Sequence, residues 1–298
     1  MHAELKTIRD YIRYATSCFN EAGLYFGHGT DNAWDEAIAL VYHTLHLPHS
    51  INSEILDARL TQSEKSKLSK LIDERIKKRL PLAYLTHEAW FANLAFYVDE
   101  RVLIPRSPIA ELIEAQFSPW VHPEKAHRIL DLCTGSGCIA IACAKYFPNI
   151  SVDASDISTD ALAVAKINTL RHNVEDQVTL IESDLFQSIP KRKYDIIVSN
   201  PPYVSHAEIA ALPEEYNHEP KLGLVAGNQG LDFATRILRD ASKYLEPTGI
   251  LIVEVGNSEA ALSDTYPDIP FTWVEFERGG GGVFLLTAEQ LAEHSELV

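Results

Sequence analysis

The hydrophobic and polar positions divide this chain into three stretches with different periods. Up to about residue 87, apolar side chains recur at helical spacing, for example at Trp34, Ile38, Val41 and Leu45. Residues 61–64 (Thr-Gln-Ser-Glu) have the form of a capping box ahead of another apolar run. This stretch predicts a small helical bundle over residues 1–87.

Residues 88–108 predict a β-hairpin connector. β-branched and aromatic side chains cluster around Asn93 and around residues 99–100, which is typical of a short hairpin. Residues 104–108 (Ile-Pro-Arg-Ser-Pro) then end the hairpin and open a helix. The two prolines hold Arg106 stiffly, but the spacing does not distinguish a solvated linker arginine from one that lines a cleft.

Residues 109–298 alternate between strand and helix patterns. Apolar, β-branched runs predict mainly parallel strands with helices between them, and the last two strands form an antiparallel pair. The predicted strands are residues 128–132, 152–156, 178–181, 194–198, 249–255, 271–276 and 282–286. Residues 205–230 are too long for a connector and predict a lid. We expect residues 287–298 to be a frayed end.

Polar residues follow or end four successive predicted strands: Asp131, Asp156, Asp184 and Asn200. The carboxyl ends of parallel strands share one edge of the sheet, where open α/β sheets bind ligands. Taken alone, Asp184 is a helix or turn cap. Because Asp184 follows a predicted strand, as the other three follow or end theirs, its position favours a ligand site at this edge.

The turn after residue 132 predicts a nucleotide-type site. It consists of Cys133, Thr134, Gly135, Ser136 and Gly137, and its glycines let the backbone approach a ligand. Asp156 ends the next strand, where a carboxylate accepts hydrogen bonds from ribose hydroxyls. We expect Asp184 to accept from an adenine amino group, with Leu185 or Phe186 over the base.

The same turn favours S-adenosylmethionine over NAD. It lacks the Gly-x-Gly-x-x-Gly pattern, and no basic residue lies between Asp131 and Ala142 to meet a pyrophosphate. The carboxylate of Asp131 would repel a dinucleotide but attract a cationic sulfonium ligand that carries an ammonium group.

Residues 200–203 (Asn-Pro-Pro-Tyr) follow the buried strand 194–198. Taken alone, this tetrad only ends a strand. Its chemistry nevertheless suits a planar –NH2 group. Pro201 and Pro202 remove two backbone donors, Asn200 adds a side-chain carbonyl oxygen, and Tyr203 adds an aromatic face. Two acceptors that draw the N–H protons would raise the electron density on nitrogen.

Composition limits the function classes further. The chain has 298 residues, 46% of them hydrophobic, and a formal net charge of −16. This charge argues against stable nucleic-acid binding and favours a basic protein partner. Because no long apolar run or signal peptide is present, we expect a cytoplasmic protein with no membrane contact. The cysteine spacing matches no zinc site, so we expect reduced, mostly buried thiols and no metal.

Together these motifs resemble the HemK-like glutamine-amide methyltransferases over essentially the whole chain. The motifs that carry the resemblance are residues 79–85, 102–106, 131–137, 200–203 and 219–220. Release-factor members of the family usually continue the Pro-Arg pair with Pro-Glu and begin the glycine turn with Gly. In this chain the Pro-Arg pair continues with Ser107 and Pro108, and the glycine turn begins with Cys133. Both departures resemble the sister branch that methylates large-subunit ribosomal protein three.

The resemblance implies a seven-stranded Rossmann-like methyltransferase domain at residues 109–298, preceded by a helical substrate-recognition domain. It implies methyl transfer from S-adenosylmethionine to a glutamine side-chain amide of ribosomal protein three. A glutamine of a release factor is the alternative substrate within the family. Asn200, Pro201, Pro202 and Tyr203 would then hold the amide, and Asn200 would also border the cofactor. An adenine amino-methyltransferase and a non-catalytic assembly factor remain alternatives.

Overall fold

The protein forms two compact units. A computed structural model describes residues 4–48, 50–147, 149–294 and 296. The first unit runs to Ala89 and also includes Pro213–His218. The second comprises Trp90–Leu212 and the chain from Glu219 onward. The boundaries proposed at residues 87 and 108 stay predictions, because compactness does not show where an independently folding domain ends.

The first unit is helical. It contains α1 (Ile8–Glu21), α2 (Ala33–Thr44), α3 (Gln62–Lys78) and α4 (Leu82–Thr86), with 3-10 helices at Ser53–Asp57 and Glu214–His218. At the start of α3, the Thr61 hydroxyl accepts from the Glu64 amide, and the Glu64 carboxylate accepts from the Thr61 amide. The predicted capping box is therefore present. The apolar helix faces pack into one core.

A buried arginine ties three segments of the helical unit together. Arg75 on α3 is 1% exposed. Its Nε donates to Glu36 Oε1 at 2.6 Å, its Nη2 donates to the Tyr25 carbonyl at 3.0 Å, and its Nη1 lies 3.5 Å from Glu215 Oε1. Both carboxylates are buried as well, so each charge in this cluster depends on the others.

We predict that Arg75→Ala destabilises the protein by about 3–5 kcal/mol, because it leaves the buried carboxylate of Glu36 without its cationic partner, whereas Glu215 keeps its ion pair with Arg79. Lys77→Ala is the matched control on the same helix. Its exposed pair with Asp73 should contribute no more than about 1 kcal/mol. Urea unfolding followed by circular dichroism measures both. Equal losses in the two variants would contradict the structural role of Arg75.

The second unit is built on a mixed sheet. A hairpin of β1 (Ala89–Phe91) and β2 (Leu94–Phe96) precedes it. Within the described residues, seven strands form the sheet in the order β5-β4-β3-β6-β7-β9-β8. They are β3 (Arg128–Leu132), β4 (Ser151–Asp156), β5 (Val178–Glu182), β6 (Tyr194–Ser199), β7 (Leu245–Glu254), β8 (Thr272–Trp273) and β9 (Val283–Thr287). Strands β3 to β7 are parallel, and β9 pairs antiparallel with β7 and β8. This arrangement confirms the α/β prediction.

Helices cover both faces of this sheet. They are α5 (Ile109–Glu114), α6 (Cys138–Tyr146), α7 (Thr159–His172), α9 (Asp232–Ala241), α10 (Glu259–Thr265) and α11 (Ala288–Glu293). The short helix α8 (His206–Ile209) has no buried residue. Successive residues of β6 alternate between two cores: Ile196 and Val198 face one, and Ile197 faces the other. A strand buried on both faces has no polar alternation, which is why residues 196–198 at its centre are all apolar.

The strand order reverses beside β3. From β3 the chain passes to β4 on one side, while β6 lies on the other side. In open α/β sheets such a reversal leaves a crevice at the carboxyl ends of the two strands. The fold therefore places a ligand crevice between the turn after β3 and the tetrad after β6.

The structure corrects two expectations at the end of the chain. The frayed end is wrong for Thr287–His294, because Thr287 and Gln290 form a capping box that starts α11, and Leu291 on that helix is 5% exposed. Residues 295, 297 and 298 lie outside the described residues. Strand β8 is also shorter than predicted. Every helix of the described chain is too short or too polar to cross a lipid bilayer.

Candidate active site

A cavity that is open to solvent lies at the carboxyl edge of the sheet in the second unit. Most of the predicted site residues line it: Cys133, Thr134, Gly135, Ser136, Asp156, Asp184, Leu185, Asn200 and Pro202. Four others do not: Asp131, Gly137, Pro201 and Tyr203. Residues 101–107 supply a further wall, as do Pro220, Leu222 and Gly223, so part of the predicted lid borders the cavity.

The turn between β3 and α6 uses its two glycines differently. Gly135 lines the cavity, and its amide donates to Asp156 Oδ2 at 2.9 Å. Gly137 has φ of +80° at the start of α6. A side chain there would come within 3.1 Å of Ala165 Cβ on α7. Gly137 thus serves helix packing, and its predicted contact with the cofactor gains no support from its position.

Asp131 lies beneath the turn. Its Oδ2 accepts from Thr134 Oγ1 at 2.5 Å and from the Ala140 amide at 3.2 Å. Its Oδ1 is buried and has no hydrogen-bond partner among the described residues. Burial raises the pKa of this carboxyl to about 7, although both hydrogen bonds lower it. Asp131 therefore braces the turn from below, and its attraction to a cationic ligand stays a prediction.

Asp156 at the end of β4 faces the cavity. Its Oδ2 accepts from Gly135 and its Oδ1 accepts from the Ser158 amide at 2.9 Å. Burial raises the pKa of this carboxyl against these two bonds. Each oxygen keeps further acceptor capacity, which suits the two hydroxyls of a ribose. The next residue, Ile157, also lines the cavity and is 53% exposed.

Asp184 is held by two donors that the sequence analysis did not identify. Arg236 Nη2 on α9 donates to its Oδ1 at 2.7 Å, and Gln187 Nε2 donates to its Oδ2 at 2.9 Å. The next residue, Leu185, has φ of +50° and lines the cavity. Phe186 instead stacks on Tyr244 with 4.7 Å between ring centroids. Of the two residues suggested to cover the base, only Leu185 reaches the cavity.

Two residues of the Asn-Pro-Pro-Tyr tetrad line the cavity and two do not. Asn200 and Pro202 line the cavity, and Pro201 is buried beside them. The Tyr203 hydroxyl donates to Glu254 Oε1 at 3.0 Å. Glu254 ends β7 and is 5% exposed. An acid at the end of a fifth buried strand is a signal visible in the sequence, and Glu254 was not among the predicted site residues.

Arg106 forms a fork-to-fork ion pair with Glu219. Its Nη1 lies 2.6 Å from Glu219 Oε1, and its Nη2 lies 2.9 Å from Oε2. The Ile104 amide also donates to Glu219 Oε1 at 3.1 Å. This pair joins the Pro-Arg connector to the segment before Pro220. It favours a structural role for Arg106 at the cavity wall over a solvated linker position.

The comparisons with known proteins agree with this geometry. Residues 117–214 match the family described as Methyltransferase small domain. The chain is 54% identical over 292 residues to the ribosomal protein uL3 glutamine methyltransferase of Xanthomonas campestris pv. campestris, which covers 98% of this chain and 94% of the relative. It is 52% identical over 289 residues to the protein of the same name from Neisseria gonorrhoeae, with 97% and 96% covered.

The chain belongs to the uL3 glutamine methyltransferase family. It is thus a methyltransferase whose methyl donor is S-adenosylmethionine. The resemblance to HemK-like enzymes is confirmed at the level of this branch. Among solved structures, the hMettl16 catalytic domain in complex with MAT2A 3′UTR hairpin 6 has a TM-score of 0.55 and 17% identity, and covers 84% of this chain and 92% of that chain. At that identity it confirms the Rossmann-like fold alone.

The residues of the cavity fit S-adenosylmethionine. Two carboxylates, those of Asp156 and Asp184, face the cavity beside the apolar side chains of Ile157 and Leu185. These hydrogen-bond acceptors and apolar side chains suit a ribose and an adenine ring. The buried Oδ1 of Asp131 lies beneath the adjacent turn. No group of three or more His, Cys, Asp or Glu side chains in the described part of the chain could hold a metal ion.

We predict that Asp131→Asn changes the pH dependence of stability. The wild-type carboxyl ionises near its ordinary pKa of 3.8 when unfolded but only near pH 7 when folded. Its contribution to folding is therefore complete below pH 3.8 and is lost as the pH rises to about 7. The variant has no such group. The melting temperature of the variant minus that of the wild type should increase as the pH rises from 4 to 8. A difference that does not change with pH would contradict the buried, protonated Asp131.

Proposed function

We propose that this protein transfers a methyl group from S-adenosylmethionine to the side-chain amide nitrogen of a glutamine in ribosomal protein uL3. The proposal rests on two relatives that are 54% and 52% identical to this chain over almost its whole length. Both are named as ribosomal protein uL3 glutamine methyltransferases. The geometry supports it, because Asn200 and Pro202 border the same cavity as the residues that fit the cofactor.

The tetrad gives this chemistry a physical basis. S-adenosylmethionine supplies an electrophilic methyl group whose sulfur leaves as a neutral thioether. Asn200 Oδ1 and the Pro201 carbonyl accept hydrogen bonds from the two amide N–H groups and so aim the nitrogen at the methyl carbon. The ring of Tyr203 packs against the amide plane. Because the leaving group is already activated, positioning supplies most of the rate, and the nitrogen then loses one proton to water.

Charge supports a basic protein as the partner. Residues 1–89 hold 11 of the 26 basic and 12 of the 42 acidic side chains, so residues 90–298 carry a formal charge of −15. The excess of acid thus belongs to the part of the chain that carries the site. It would attract a basic protein and repel nucleic acid. Substrate recognition by the helical unit, a cytoplasmic location and the absence of nucleic-acid and membrane contacts remain predictions.

We predict that Asn200→Ala lowers the single-turnover rate by at least about 100-fold at saturating cofactor, because one of two amide acceptors is lost. The assay uses labelled S-adenosylmethionine and recombinant uL3 made in cells that lack this enzyme. Asn149→Ala, at an exposed position outside the cavity lining, is the control and should react like the wild type. A near wild-type rate in Asn200→Ala with the cofactor bound would contradict the role of the tetrad.

The same assay separates the remaining alternatives. Mass spectrometry of the labelled polypeptide should place the methyl group on a glutamine side chain of uL3. Label in a release factor instead would indicate the other branch of the family. Label in nucleic acid would indicate an adenine amino-methyltransferase, and no transfer to any of these substrates would contradict the proposed function.

A further inference from the structure

Glu254 is a buried carboxylate that the mechanism above does not use. It ends β7, which lies next to β6 in parallel register, with Ser199 opposite Val253. The next residues along the two strands are Asn200 and Glu254. Glu254 therefore occupies the same sheet edge as the tetrad, although it does not line the cavity.

Each oxygen of this carboxylate has one hydroxyl donor. Oε1 accepts from the Tyr203 phenol at 3.0 Å, and Oε2 accepts from Ser107 Oγ at 2.5 Å. Ser107 is 6% exposed, and its oxygen accepts from the Ile109 amide at 3.2 Å. That bond uses a lone pair of the hydroxyl and leaves its proton for Glu254. The result is a hydrogen-bonded chain from the connector through Glu254 to the tetrad.

The backbone of Tyr203 also has a side-chain contact. Ser258 Oγ lies 3.2 Å from the carbonyl oxygens of both Tyr203 and Gln229, and its one proton can be donated to either. The ring lies against Gly256, where an added Cβ would come within 2.5 Å of Cε2. The phenol bond to Glu254 adds a restraint at the far end of the ring.

We propose that Glu254, held by Ser107, is a positioning residue for methyl transfer: it acts through the Tyr203 hydroxyl to fix the ring against which the substrate amide packs. This inference rests on the proposed function, because it assumes that an amide binds at the tetrad. It assigns Glu254 no contact with substrate or cofactor. Its effect should therefore fall on the rate of transfer and not on cofactor affinity.

The test compares Glu254→Ala, Glu254→Gln and Glu246→Ala in the full-length enzyme, with uL3 as substrate. Glu254→Ala should lower kcat by about 10- to 100-fold, as expected for a misplaced substrate contact. The Kd for S-adenosylmethionine should stay within about two-fold, because the cavity lining is unchanged. Glu254→Gln keeps an oxygen for Tyr203 and should recover most of the rate. Glu246→Ala, at the opposite end of β7, should match the wild type.

A double-mutant cycle separates positioning from a general loss of structure. If Glu254 acts through Tyr203, then Tyr203→Phe combined with Glu254→Ala should lower kcat no further than the more damaging single change. Additive losses, or a Glu254→Gln variant as slow as Glu254→Ala, would overturn the proposal. If Glu254→Ala does not fold, Ser107→Ala and Tyr203→Phe form the cycle, with the same expectation of non-additive losses.

The result also distinguishes this inference from the proposed function. A wild-type enzyme that does not methylate uL3 would contradict the function itself. A wild-type enzyme that methylates uL3, together with a Glu254→Ala variant of unchanged kcat, would overturn only the positioning role.

Discussion

Parallel strand pairing is the constraint on which the site depends. The register sets Leu132 beside Ser155 on one side and beside Ser199 on the other, and Ser199 beside Val253. The residues at or just past these strand ends are distant in sequence and close in space as a direct consequence. The sheet interior must be apolar because helices cover both faces, so polar groups collect at the edge where the strands stop.

That collection of acids gives the edge its electrostatic character. Burial raises the pKa values of Asp131, Asp156 and Glu254, and the charge of Asp156 raises the pKa of Asp131 further. Such a cluster is unfavourable for stability, since buried carboxylates lose hydration. The same acids are the basis of the predicted attraction to a cationic ligand, whose positive charge would offset the repulsion between them.

The sequence was sufficient for the features that follow from local periodicity. Continuous apolar runs predicted the strands, the glycine turn predicted the start of α6, and the strand-end rule brought Asp156, Asp184 and Asn200 to one cavity. Sequence patterns do not report on which side chains meet across the fold. The donors Arg236 to Asp184 and Ser107 to Glu254 lie 52 and 147 positions from their partners, so no local pattern contains them.

Some signals were present in the sequence but were given too little weight. Thr287 and Gln290 have capping-box spacing, and the structure starts α11 there. Glu254 ends a buried strand just as Asp156 does. In other places the structure gives a predicted cofactor residue a structural contact, and its cofactor role stays a prediction. Gly137 has the positive φ expected of the turn, but packing against Ala165 explains it better than contact with a ligand. Asp131 lies under the turn instead of facing the cavity.

The central claim is that the tetrad aims a substrate amide at the methyl group of a cofactor bound in the adjacent cavity. A crystal structure of the enzyme with S-adenosylmethionine tests this most directly. The proposed function predicts that the methyl carbon points toward Asn200 Oδ1, with an open path between them, and that Asp156 accepts from the ribose hydroxyls. A methyl carbon that faces away from Asn200, or is separated from it by protein, would contradict the proposed function.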